Sequence, residues 1–283
     1  MPKSLETSRR ATKLRPGCVV VVGMILALLP LGSAGVSQEL SRVPDFSGEW
    51  ARPGNLFDFA PPRDGVGPGP LTNISGNRLV PVANDDSPLL KPWAAAIVKE
   101  HGDTLLAGRL ASDAHSSCRP MGVPYVLQVR GNVRFLQTPD WIVITYEDDN
   151  QRRFVQLNAK HSANPAPTWM GESVGHYEGD DTLVIDTIGI AMHGFSVIDR
   201  FGTPHTEGLH VIERYRIARD ENGEKILQVD LAVDDPNTFN MAWRASSIYE
   251  AGGEHEEDIC AENIRGFHGP SEIEIPTDLE ADF

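Results

Sequence analysis

Cysteine is scarce in this chain: Cys18, Cys118 and Cys260 are all it has among 283 residues. At this length the scarcity is no handicap, because a chain this long has no need of disulfides or metals in place of a core. Basic residues are outnumbered, 25 Lys and Arg against 40 Asp and Glu, for a formal net charge of −15. That balance argues against a nucleic acid partner, which requires a basic face. Gly-x-Gly-x-x-Gly, a Walker loop and a haem motif are all missing, so no cofactor is expected. Long apolar runs are lacking too, apart from one at the N-terminus. What remains, 40% hydrophobic and 23% charged residues, is the composition of a folded domain, neither disordered, collagen-like nor coiled-coil.

The single apolar run, Cys18 to Leu31, follows Lys3, Arg9, Arg10, Lys13 and Arg15 and precedes Gly32-Ser33-Ala34. Basic, apolar and small-residue regions in that order read as a signal peptide over residues 1–34, and the run is too short and too broken for a comfortable membrane span. The alternative is an uncleaved anchor. Arg9-Arg10 leaves both the general and the twin-arginine export routes open. The expected location is the periplasm or the exterior, with no stable membrane span after cleavage. Removing the segment takes five basic residues and Glu6, leaving a mature charge near −19. It also leaves only Cys118 and Cys260, which in an oxidising compartment most simply form one disulfide; two buried thiols are the alternative.

Asp45–Trp50 reads as a first strand, and Arg52 to Pro70, with five prolines and four glycines, as a surface excursion. Pro92–His101 has the composition of a helix, with Pro92 at its first position and Gly102 past its end. Trp93, Ile97 and Ala96 are expected to dock it on a sheet. Residues 35–117 are thus an extension carrying one strand and one helix. From residue 118 to 270 the signals are almost all strand, with an acidic tail over 271–283. Tyr125–Arg130, Val133–Thr138, Trp141–Glu147, Arg152–Asn158, Ser173–Tyr177, Thr182–Thr187, Leu209–Ala218 and Lys225–Val233 are separated by polar or Gly-containing turns. The expected fold is all-β, an antiparallel barrel or sandwich.

The run from Trp169 to Thr187, containing His176-Tyr177-Glu178-Gly179-Asp180-Asp181-Thr182-Leu183-Val184-Ile185-Asp186, resembles a signature of a broad, uncharacterised family of secreted bacterial proteins. The resemblance extends through Gly202–Glu207, Glu213-Arg214, Asp235-Pro236 and Cys260-Ala261-Glu262-Asn263. Tyr177 stands where that family usually has Trp, and the acidic turn carries one extra Asp. The resemblance implies an exported β protein and brings no reaction with it. Gly48-Glu49-Trp50 is similar to the opening of lipocalin-like (calycin) barrels.

Three constellations carry chemistry. Gly171-Glu172-Ser173-Val174-Gly175 matches the nucleophile elbow, but no helix is expected after it, so a serine esterase using Ser173 is the less favoured reading; close backbone approach at the glycines is the plainer one. His205-Thr206-Glu207-Gly208-Leu209-His210 offers metal-type ligands without a recognised spacing, and no metal is expected. Glu213 shares a strand face with Leu209, Val211, Tyr215 and Ile217, and Asp186 lies between Val184 and Ile188. A carboxylate in such a lining gains a raised pKa and can move protons, unless Arg200, Arg214 or Arg216 pairs with it. The expected activity is cofactor-free acid/base chemistry (hydrolysis, elimination or isomerisation) on a small, partly apolar molecule. Asp186, Glu213, His205 and His176 are its candidate catalytic groups, and Tyr177, Trp169, Arg214 and His193 its candidate substrate-binding groups. The rival reading is a barrel that binds such a molecule without transforming it. An enzyme needs an acid and a base converging on one point; a carrier needs an apolar lining with a few polar anchors.

Overall fold

A computed structural model describes residues 43–53, 58–111, 114, 117–128, 131–194 and 196–260. The signal segment over 1–34, the acidic tail and Ala261-Glu262-Asn263 lie outside the described residues. The architecture is a closed barrel of nine sequential strands: β1 (Gly48–Ala51), β2 (Val133–Gln137), β3 (Trp141–Tyr146), β4 (Arg152–Leu157), β5 (Glu172–Glu178), β6 (Thr182–Ile188), β7 (His210–Arg219), β8 (Lys225–Asp234) and β9 (Trp243–Ala251). β9 returns to pair antiparallel with β1.

Every pair is antiparallel except β4–β5, which run parallel. An odd number of strands cannot close with antiparallel pairs alone, since each such pair reverses direction and the circuit must return to its start. The parallel pair sits where the connection is long, residues 158–171, as a parallel crossover requires. The purely antiparallel pairing expected from the turns is corrected at this one place.

Period-two alternation sets the interior. Ile142, Ile144 and Tyr146 on β3, Val155 and Leu157 on β4, and Val211, Glu213 and Tyr215 on β7 are buried, with exposed or half-buried residues between them. Two strand assignments differ from the sequence reading. Tyr125–Gln128 is a 3-10 turn, all four residues buried; a short apolar run without alternation cannot distinguish the two states. β9 was not anticipated, because Ser246 on its outer side is also buried, covered by the Pro/Gly-rich segment through paired backbone bonds between Ala60 and Ser246.

The helix, α1, runs Pro92–Leu106 and buries Ala94, Val98 and Gly102, not Trp93 and Ile97, which are each 41% exposed. Small residues let it approach closely: a Cβ on Gly102 would stand 3.0 Å from Val82. Gly102 is therefore a contact point rather than a stop, and the chain turns at Gly108, with φ +71°. Cys118 and Cys260 are joined, their Cα atoms 5.4 Å apart. The bond ties the segment entering the barrel to the segment leaving it, the clasp expected from the sequence.

Candidate functional site

The most polar part of the barrel interior spans β4 to β7. Register places Val155 beside Ser173, Ser173 beside Thr187, and Ile185 beside Glu213. Inward positions on these strands therefore bring Arg153, Ser173, Thr187, Glu213 and Tyr215 together. The Arg153 and Glu213 side chains are 1% and 0% exposed, with Nη2 2.5 Å from Oε2. Arg153 Nε donates to Ser173 Oγ at 2.9 Å, and Nη2 also donates to Thr187 Oγ1. Tyr215 donates to the other carboxylate oxygen, Oε1, at 2.7 Å.

Electrostatics follow from burial. Desolvation by itself would lower the Arg153 pKa, but the Glu213 charge outweighs it, and the guanidinium is held charged above its ordinary value. Tyr215 is pushed well up, first by burial and then by Glu213. Burial also raises Tyr146, against the pull of Arg153. The Arg153 guanidinium hydrogen-bonds toward the Tyr146 phenol oxygen, and the buried Tyr146 hydroxyl finds no acceptor for its own proton among the described residues.

Glu213 lies on the inward face expected for it, but its cation is Arg153, not Arg200, Arg214 or Arg216. Those three point elsewhere, to Asp58 at 2.5 Å, Glu178 at 3.5 Å and Asp181 at 3.2 Å. Ser173 accepts from Arg153 and shares a 3.0 Å hydrogen bond with Thr187, and among the described residues no imidazole bonds to it. The glycines flanking it mark close approach, as the plainer reading held. Gly171, at φ +66°, would place a Cβ 2.6 Å from the Ile188 carbonyl oxygen, and Gly175 one 2.9 Å from Val155.

The remaining candidates do not converge on Glu213. Asp186 pairs with Ile212, one position from the Ile185–Glu213 pair, so it faces out where Glu213 faces in. It accepts from His210 Nε2 at 2.7 Å and contacts His161 Nε2 at 3.1 Å, while His161 Nδ1 meets Glu172 at 3.0 Å. His176 is exposed on the outer face, 3.5 Å from Glu178, and Arg214 shares that carboxylate. Tyr177 turns inward near the chain entry, its hydroxyl accepting from Gln137 at 2.8 Å and its ring stacked with Phe46 at 6.5 Å.

His205 belongs to a third place, the connection between β6 and β7. Its Nε2 lies 2.6 Å from Ser196 Oγ and its Nδ1 3.0 Å from the Thr206 carbonyl oxygen. Burial lowers its pKa. His193 lies near enough to act on it electrostatically and packs against Trp169, ring centroids 4.5 Å apart. His205, His193 and Trp169 are thus gathered, while Asp186, Glu213 and His176 stand apart. Among the described residues no group of three or more His, Cys, Asp or Glu side chains is arranged to hold a metal ion.

Arg153, Ser196, His161 and Glu172 were not singled out from the sequence. Arg153 had a legible signal, sharing a period-two face with Val155 and Leu157. Phe154, 58% exposed on the other face, obscured it. Ser196 had no signal, because its partner is nine residues away in an irregular loop. No protein-family model, curated protein or solved structure matches the chain, so no relative lends a function to this arrangement.

Proposed function

We propose that the chain is an exported barrel that binds a small, partly apolar molecule in its interior without transforming it. The Tyr146 hydroxyl, set beside the Arg153 guanidinium, is the anchor for an acceptor oxygen on that molecule. The observation that carries this reading is the buried Tyr146 hydroxyl, whose proton has no acceptor among the described residues. Each buried donor left without an acceptor costs about 1–3 kcal/mol, so the acceptor is the missing part of the network. Phe135, Ile144 and Val155 are buried on the same inward face of the neighbouring strands, and apolar surroundings with few convergent polar groups are the pattern of a ligand site. The acid/base reading has less support, because its four carboxylate and imidazole groups occupy separate faces and Glu213 is already balanced by Arg153. Export to an oxidising compartment belongs to the same reading and is supported by the Cys118–Cys260 bond.

The test is mass spectrometry under native and denaturing conditions on wild type and Tyr146→Phe. The wild type is expected to carry a small molecule that denaturation releases, with occupancy falling at least fivefold in the variant. Tyr146→Phe keeps the buried ring, so its melting temperature should fall only by the stabilisation that the bound molecule supplied. A wild type that carries nothing, and whose melting temperature is unmoved by a panel of carboxylates and amphiphiles, would refute the proposal.

A further inference from the structure

Outside the barrel interior, the loop joining β6 to β7 holds a nucleophilic side chain that the binding reading does not use. We infer that Ser196 and His205 form a nucleophile–base pair, an acyl-transfer site that takes small carboxylic esters. The tautomer carries the argument. His205 Nδ1 lies 3.0 Å from the Thr206 carbonyl oxygen. A carbonyl oxygen can only accept, so Nδ1 bears a proton. In the neutral ring Nε2 is then a bare acceptor, and the group 2.6 Å from it is the Ser196 hydroxyl. A hydroxyl has one proton to give; the Ala191 carbonyl oxygen is the more distant claimant at 3.2 Å. Ser196 O–H therefore points at His205, the alignment of an activated serine whose base is oriented by a third group.

That third group is itself fixed. The Thr206 backbone N–H and side-chain hydroxyl both donate to Asp235, at 2.6 and 2.8 Å, and Asp235 is fully buried and also accepts from Thr238 and Asn237. On the other side of the pair, Ile198 N–H donates to the Thr203 carbonyl at 3.0 Å, and Asp199 accepts from Phe201 and Thr203. The loop is braced on both flanks, as a preorganised site requires. Burial keeps His205 below its ordinary pKa, which favours the neutral form that the geometry needs. Ser196 is buried, and the exposed residues Met192, His193 and Gly194 lie two to four positions before it in the chain. The Trp169 and His193 rings, centroids 4.5 Å apart and tilted by 31°, offer an aromatic surface for a short apolar acyl group.

In the reaction, Ser196 Oγ bonds to the ester carbonyl carbon as its proton passes to His205 Nε2. The tetrahedral adduct collapses by breaking the bond to the alcohol oxygen, which leaves with the proton from Nε2. Water then attacks the acyl-serine, giving its proton to Nε2, and collapse returns the carboxylic acid and the Ser196 hydroxyl.

The experiment uses the full mature chain with p-nitrophenyl acetate and, separately, a fluorophosphonate followed by peptide mapping. We expect nitrophenolate release above the blank and a phosphonyl adduct on Ser196. Ser196→Ala should abolish both, and His205→Gln should slow both by roughly 10²–10⁴-fold, the usual contribution of a general base. Ser196→Ala removes one oxygen; an unchanged thermal melt shows that its loss of activity is not loss of fold, and adduct mapping on the wild type needs no variant. Release no faster than the blank, activity that survives in Ser196→Ala, or an adduct on another residue would overturn the assignment.

Discussion

Replacing Glu213 with Gln tests whether the centre of the barrel is an ion pair or a proton-transfer site. The side chain is fully buried, and its two oxygens are taken by Arg153 and Tyr215. The amide keeps the shape but removes the charge that balances Arg153, whose side chain is 1% exposed. Breaking one half of a buried pair strands the other, at about 3–5 kcal/mol. For a domain of this size each kcal/mol is worth about 2–4 °C in Tm, so a drop of roughly 6–20 °C is expected. The companion variant carries Arg153→Met, Glu213→Leu and Tyr215→Phe, removing both charges and the phenol they would leave without an acceptor. It should melt within a few degrees of wild type, because well-packed apolar replacements of a buried ion pair are often neutral or stabilising. Differential scanning calorimetry on the three proteins is sufficient. A Glu213→Gln variant melting within about 2 °C of wild type would refute the reasoning and return Glu213 to the list of proton-moving groups.

Two further outcomes are expected. The exported protein should show no free thiol on alkylation under denaturing, non-reducing conditions, and replacing Cys118 and Cys260 with Ser should cost about 5 kcal/mol, the chain-entropy value for a closed loop of 142 residues; two alkylated cysteines would refute the bond. Asp199 is buried and its pKa is raised to about 6 from 3.8, chiefly by desolvation. The folded state therefore holds that proton more tightly than the unfolded chain, so stability from this group is greatest below pH 3.8 and falls as pH rises to about 6. Asp199→Asn should accordingly raise Tm at pH 8, by up to about 3 kcal/mol of stability, and leave it nearly unchanged at pH 4; equal destabilisation at both pH values would refute the assignment.

Much of the barrel was legible because its turns are polar and its strands alternate. The inward setting of Glu213 followed from Leu209, Val211, Tyr215 and Ile217 sharing its face, and the Cys118–Cys260 clasp from the cysteine count and placement. What escaped depends on neighbours that the local pattern does not encode. β9 reads poorly because a segment nearly two hundred residues earlier covers its outer side at Ser246. The helix face was misassigned because Trp93 is held at the surface, its indole N–H donating to the Asn237 carbonyl at 2.8 Å, while Ala94, Val98 and Gly102 make the contact. The partner of Glu213 lies 60 residues away on a strand that reaches it only after the parallel crossover. Local period places a side chain on a face. Which charge meets it there is decided by barrel closure.

That distinction separates the two functional readings. A buried network of Arg153, Glu213, Ser173, Thr187 and Tyr215 gives little net stability over an apolar core. Its presence in a largely aliphatic and aromatic interior therefore calls for a reason other than folding. The Tyr146 hydroxyl proton, left without an acceptor beside Arg153, supplies one, a ligand oxygen, and the Ser196–His205 pair owes nothing to it because it is built in a loop outside the strands. The two variants should consequently act on different readouts: Tyr146→Phe should empty the barrel while leaving ester hydrolysis intact, and Ser196→Ala should end hydrolysis while leaving the bound molecule in place. If either variant abolishes both, the interior and the loop form one site, with the barrel holding the molecule that the serine attacks.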